Sequence, residues 1–187
     1  KQKRACETLR SRVGSEMCIR GRATANPRTK ALAAQMRAYP ALTAGGTQAL
    51  VDAALKRLRT GGYEYTLEPG VYGEQTADEF WFDRKAGFCE HIASSFVILM
   101  RAANVPARVV TGYQGGERNP VDGYWTVRQS DAHAWAEVWI EGRGWVRVDP
   151  TGAVAPGRIG QLTRLRAPRG AFGSAVDSVI SPGLAQQ

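Results

Sequence analysis

A lone cysteine heads an amphipathic helix in this chain, and the strands that follow carry one histidine and end on one aspartate. That arrangement, over residues 87–150, constrains the chain more than any other feature. It opens with Gly87-Phe88-Cys89-Glu90-His91. Ile92, Phe96, Leu99, Met100 and Ala103 then fall on one face at helical spacing, so residues 88–103 are predicted to be a helix. Cys89 precedes Ile92 by three positions and Phe96 by seven, and so belongs to the same inward face. Asn104 and Pro106 end the helix. β-Branched and aromatic runs predict strands at 108–113, 124–129, 133–140 and 145–149, with a polar loop over 114–122.

Cys89 falls in the first helical turn. Unpaired backbone N–H groups and the helix dipole favour an anion there, which lowers a thiol pKa. The same N–H groups can hold an oxyanion. The chain has two histidines. His91 lies two residues from Cys89 on one helix, and residues at that spacing do not face each other. His133 is therefore the base by elimination. On its strand His133, Trp135, Glu137 and Trp139 share one face, and Ala134, Ala136, Val138 and Ile140 the other. On the next strand Trp145, Arg147 and Asp149 share a face.

If these two strands form a hairpin, the three-residue loop Glu141-Gly142-Arg143 points His133 and Asp149 the same way. Asp149 then lies opposite Trp135 and diagonal to His133. Arg147 lies opposite Glu137, a favourable cross-strand pair. A slip of one residue would turn Asp149 away. The three residue types suit acyl transfer. A thiolate attacks a carbonyl or carboxamide carbon, an imidazole holds the thiolate and protonates the leaving amine, and a carboxylate orients the imidazole. Each residue taken alone also has an ordinary reading. Cys89 reads as a buried small residue, His133 as a half-buried strand histidine, and Asp149 before Pro150 as a turn residue. A zinc site from Cys89, His91, His133 and Asp149 lacks CxxC or HExxH spacing, and no phosphate or dinucleotide loop is present. No cofactor is called for.

The rest of the chain frames this segment. Helices are predicted at 28–39 and from Thr47, as its cap, to about Arg59; a short strand is predicted at 63–67. A helical turn is predicted at 77–82, with Phe80, Trp81 and Phe82 as packing residues. The net charge of +8 comes from the ends. Residues 1–22 hold seven Lys/Arg and two Glu, residues 151–187 four Arg and one Asp, and residues 23–150 fourteen of each sign. A nucleic-acid binder would carry its excess charge on the folded surface, so no nucleic-acid partner is expected. Cys6, Cys18 and Cys89 make a poor disulfide framework. No apolar run approaches the roughly 20 residues of a membrane helix, and no signal peptide is visible. Residues 1–22 are expected to be a non-native or disordered basic arm, since residues 13–20 resemble adapter-derived sequence. Residues 23–152 are expected to form one catalytic domain, and residues 153–187 a flexible tail or linker.

Four motifs together resemble the transglutaminase-like superfamily. They are Gly87-x-Cys89 with its Ala/Ser-containing helix, Val105-Pro106-Ala107-Arg108-Val109-Val110-Thr111-Gly112-Tyr113, Asp131-Ala132-His133-Ala134-Trp135-Ala136-Glu137-Val138-Trp139, and Gly144-Trp145-Val146-Arg147-Val148-Asp149-Pro150-Thr151. The set is most similar to the bacterial membrane-anchored protein-glutamine gamma-glutamyltransferases of the TgpA type. The resemblance spans about residues 31–159. It implies an α+β, papain-like cysteine-protease fold with an antiparallel sheet packed on the cysteine helix. It also places catalytic roles on Cys89, His133 and Asp149.

The resemblance further implies a fragment of a larger protein, with the catalytic domain in the periplasm and membrane helices outside this chain. The partners expected are a protein or peptide glutamine substrate and an amine acceptor, and no calcium site of the animal enzymes is recognisable. Acyl transfer from glutamine through a thioester on Cys89 is the leading expectation. Hydrolysis by the same three residues, as a cysteine protease or cell-wall peptide amidase, is the alternative. A non-catalytic binding domain of the same fold is a further one.

Overall fold

The computed structural model describes residues 25–157. The basic arm expected over residues 1–22, and all but the first few residues of the tail expected over 153–187, lie outside them.

Helix α1, Pro27–Ala38, starts on a proline, whose fixed φ and missing N–H suit the first helical position. Its free N-terminal N–H groups are met from a distant part of the chain. The carboxylate of Asp78 accepts from the N–H of Arg28 (2.9 Å) and from the N–H and hydroxyl of Thr29 (2.7 and 2.6 Å). In return Asn26 Oδ1 accepts from the N–H groups of Ala77 (3.0 Å) and Asp78 (3.2 Å). Two helix starts thus cap each other. A short helix α2, Pro40–Ala44, follows where none was expected. Helix α3 is Gly46–Thr60 and buries Leu50, Val51, Ala54 and Leu58. Thr47 lies inside this helix, and no side chain caps it.

The strand expected over 63–67 shrinks to β1, Glu64–Tyr65. It pairs in parallel with β2, Ala86–Gly87. Between them α4, Thr76–Asp78, runs into a π-helical turn, Glu79–Arg84. Phe80 and Trp81 on this turn are fully buried. The Trp81 indole N–H donates to the Ser95 carbonyl at 3.1 Å, tying the turn to the cysteine helix.

That helix, α5, is Cys89–Ala102. Ile92, Phe96, Leu99 and Met100 have no exposed surface, and Ala103 is buried just past its end. Each large side chain so buried contributes about 1.5–3 kcal/mol. The face packs on a three-stranded antiparallel sheet, β3 (Ala107–Tyr113), β6 (Ala132–Ile140) and β7 (Gly144–Val148), in the order β3-β6-β7. Ala134, Ala136, Val138 and Ile140 on β6 are buried, and the residues between them are half-buried, as strand alternation requires.

The strand expected over 124–129 does not join this sheet. Only β5, Trp125–Thr126, forms, and it pairs with β4, Glu117–Arg118, inside the expected loop. Trp125 and Val127 are exposed there, so the segment has no buried face to bring it onto the helix. Helix α6, Thr151–Val154, closes the described chain. It crosses the domain end expected at residue 152, and Ala153 sits in the core.

Candidate active site

Cys89 is the first residue of α5, with Phe88 in an extended conformation before it. The side chain is buried against Ala93 and Ala134. It still lines an open cleft of about 750 Å³, whose walls include Leu67, Phe88, Thr111, Tyr113 and His133. Strand alternation gives Ala134 and His133 opposite faces of β6, yet both reach Cys89. Ala134 packs on it and offers its backbone N–H, and His133 hydrogen-bonds the sulfur through its ring.

The hairpin register carries the second contact. Ala136 pairs with Val148 and Glu137 with Arg147 across β6 and β7, and the loop between the strands is residues 141–143. Continuing the register sets Asp149 opposite Trp135 and diagonal to His133. His133 Nε2 lies 2.7 Å from Asp149 Oδ2. The other ring nitrogen, Nδ1, is therefore the one left for the thiol. Both side chains are nearly enclosed, at 10% and 12% exposure. Asp149 Oδ1 is buried with no hydrogen-bond partner among the described residues.

These contacts set the ionisation. Burial pushes the Cys89 thiol up. The hydrogen bond from His133, the N–H of Ala134, the imidazolium charge and the N–H of Glu90 pull it down, and its pKa ends below the ordinary thiol value. Burial also disfavours the His133 imidazolium. The Asp149 and Cys89 hydrogen bonds and charges outweigh that, and its pKa is raised to about 9. A thiol pulled down beside an imidazole pulled up is the electrostatic condition for a thiolate–imidazolium pair near neutrality.

His91 points elsewhere. Its ring packs on Tyr72 (4.6 Å between centroids) and edge-on to Phe88 (4.4 Å). A Cβ on Gly87 would come within 2.7 Å of the His91 Cβ, so a side chain at position 87 would dislodge this ring. The four zinc candidates therefore do not converge. Among the described residues no group of three or more His, Cys, Asp or Glu is placed to hold a metal ion.

One expected pair re-forms differently. Glu137 sits between two arginines in the register, Arg108 on β3 and Arg147 on β7. Its Oε2 takes both Nε (2.8 Å) and Nη2 (2.6 Å) of Arg108. With that carboxylate engaged, Arg147 turns instead over the Trp135 ring, 4.2 Å from its centroid, and places Nη2 3.4 Å from Asp149 Oδ2. Trp135 in turn lies near-parallel to the His133 ring, at 24° and 6.2 Å between centroids. The sequence set Arg147 opposite Glu137, where the register has it, but as a pair with that carboxylate. The available signal was that Arg147 shares a strand face with Asp149.

The chain belongs to the transglutaminase-like superfamily, whose family model matches residues 30–150. It is 49% identical over 136 residues to a protein-glutamine gamma-glutamyltransferase of Pseudomonas aeruginosa, covering 73% of this chain and 20% of that protein. It is 39% identical over 82 residues to the uncharacterised protein YebA of Bacillus subtilis, covering 42% of this chain and 11% of that one. The crystal structure of the periplasmic domain of TgpA from Pseudomonas aeruginosa superposes with a TM-score of 0.69 at 48% identity, over 74% of this chain and 47% of that one. The chain thus spans a fifth of the gamma-glutamyltransferase and about half of the solved domain. The fold is the transglutaminase-like α+β core, with the antiparallel sheet on the cysteine helix. No helix among the described residues is long and apolar enough to cross a membrane.

Proposed function

We propose that this domain is a cysteine-dependent acyltransferase that moves the acyl group of a protein glutamine carboxamide onto an amine. The observation that carries the reading is the single imidazole shared between two partners, Cys89 on one ring nitrogen and Asp149 Oδ2, at 2.7 Å, on the other.

Cys89 is the nucleophile. Its thiolate adds to the carboxamide carbon, and the oxygen takes the negative charge beside the unpaired N–H groups of the first turn of α5. His133, as imidazolium, gives its proton to the departing nitrogen. The C–N bond breaks, ammonia leaves, and the acyl group remains as a thioester on Sγ. An amine such as a lysine side chain then enters, gives a proton to His133, and displaces the sulfur to form the new amide. Asp149 fixes the ring's tautomer and orientation throughout. The cleft, open on one side of Cys89 and lined by Phe88, Thr111 and Tyr113, leaves room for a glutamine side chain presented on a larger chain. The gamma-glutamyltransferase relative supports the choice of glutamine as acyl donor. The TgpA match supports placing the domain in the periplasm, and the fifth of the gamma-glutamyltransferase that the chain spans supports a longer parent.

The test is incorporation of a labelled primary amine into a glutamine-bearing protein, with ammonia release measured in parallel. The reading expects incorporation that Cys89→Ala abolishes. Ammonia release with no incorporation at high amine concentration would make the domain a hydrolase instead. Undiminished incorporation in Cys89→Ala would rule the mechanism out.

A further inference from the structure

We propose that Arg147 is a positioning residue for the His133–Asp149 pair, holding the carboxylate and the flanking Trp135 ring in place so that the imidazole faces Cys89. This rests on the roles assigned above and extends them to a side chain that does not touch the reacting atoms.

The geometry has three parts. The Arg147 guanidinium covers the Trp135 ring at 4.2 Å and reaches Asp149 Oδ2 at 3.4 Å. Oδ2 is the same oxygen that receives His133 Nε2, while Oδ1 has no partner among the described residues. A carboxylate held at one oxygen by one donor can pivot about that contact; a second donor on the same oxygen, fixed to a neighbouring ring, restrains it. Trp135 is confined on another side by β3. Gly112 is the register partner of His133, and a Cβ there would lie 2.9 Å from the Trp135 ring. The ring therefore has little freedom, and an arginine stacked on it is held by packing as well as charge.

Arg108 takes Oε2 of Glu137, and Arg147, opposite the same glutamate, lies over Trp135 instead. The two arginines lie on the same sheet face and each covers a tryptophan, Arg108 over Trp145 at 4.3 Å. Only Arg147 contacts the site, so Arg108 is its natural control.

A cation near His133 has two opposed effects. Its charge repels the imidazolium, whereas its grip on Asp149 keeps the imidazolium's partner in place. The Arg147 side chain is 51% exposed, so its charge is screened by water. The orienting effect wins, and losing Arg147 weakens the proton's hold on His133. Among the described residues, the other ionisable groups at this ring are Cys89 and Asp149, with Glu90 and Tyr113 on the cleft wall.

NMR titration of the imidazole Cε1–H resonances in the full chain reads this directly, because the chain has two histidines and His91→Gln assigns them. The His133 pKa should fall by about half a unit or more in both Arg147→Ala and Arg147→Lys. A lysine keeps the charge but cannot stack as a plane and reach Oδ2 together. Arg108→Ala should leave the His133 pKa at the wild-type value. A rise or no change in Arg147→Ala overturns the proposal, as does a wild-type value in Arg147→Lys. Should Arg147→Ala not fold, Arg147→Lys gives the reading. A wild-type His133 that titrates at an ordinary value would overturn the proposed mechanism and this role together. A raised wild-type value with unmoved variants would overturn the role of Arg147 alone.

Discussion

Asp149 stands one residue beyond the end of β7, and its Oδ2 meets His133 Nε2 at 2.7 Å because β6 and β7 are joined by a loop of odd length. Gly142, with φ of +80°, occupies the middle of that loop, where a side chain would be strained. The loop inside this hairpin thus sets the register, and the register decides which face the carboxylate takes.

Replacing Asp149 by Asn keeps the shape and removes the charge that stabilises the imidazolium. Acyl-transfer activity should fall on the order of 10²-fold or more, with kcat carrying the loss. Steady-state kinetics with a saturating amine would show it, and an unchanged kcat would remove Asp149 from the mechanism.

Gly112→Ala tests the same pair from β3. The added methyl would meet the Trp135 ring at 2.9 Å and push it toward His133 or away from Arg147. Activity should drop several-fold while the thermal midpoint moves by only a few degrees, equivalent to about 1 kcal/mol. Parallel thermal melts and activity assays separate the two effects. Full activity at an unchanged midpoint would mean that the ring is not confined.

The ionisations also predict how stability depends on pH. The His133 pKa is about 9 in the folded chain against an ordinary 6.5. Its stabilising contribution is complete below about pH 6.5 and is lost as pH rises through about 9. The Cys89 thiol is shifted the other way, from an ordinary 9.0. Its contribution is present above that ordinary value and is lost as pH falls through the lowered folded value. Between these limits the two slopes oppose each other, so wild-type stability should vary little. Cys89→Ala leaves only the imidazole's slope, and its stability should fall as pH rises across the window. Denaturant unfolding at about pH 6, 7.5 and 9 measures this; equally flat profiles for both proteins would contradict the pairing.

Asp78→Ala addresses the frame rather than the site. It removes the acceptor for two N–H groups at the start of α1 and leaves the buried Thr29 hydroxyl without that partner. Loss of a cap costs about 1–2 kcal/mol, and an unsatisfied buried donor adds to it. Chemical denaturation should show the drop, while the His133 pKa stays where it is.

Much of this was readable from residue order, and the reasons differ by element. Cys89 could be placed because the apolar period from Ile92 to Ala103 counts back to it. The diagonal contact of His133 and Asp149 could be placed because hairpin parity depends only on the three residues 141–143. Periodicity could not show that Glu137 has arginines on both sides, since the β3–β6 register is a long-range fact. Arg147 lies opposite Glu137 as expected, but its guanidinium goes to Trp135 and Asp149. Thr47 looked like a cap from its type alone, yet the helix begins one residue earlier, at Gly46. The β-prone residues 124–129 lacked any sign that they would have no core to cover, and only Trp125–Thr126 pair.

The most direct test of the account is mass spectrometry of the chain after reaction with a glutamine peptide in the absence of amine, quenched in acid and digested. The account predicts a peptide adduct, short by one ammonia, on the fragment that carries Cys89 and not on those carrying Cys6 or Cys18. That adduct should disappear when a primary amine is added before the quench. Glutamine turnover with no adduct at Cys89, or with the same yield in Cys89→Ala, would contradict it.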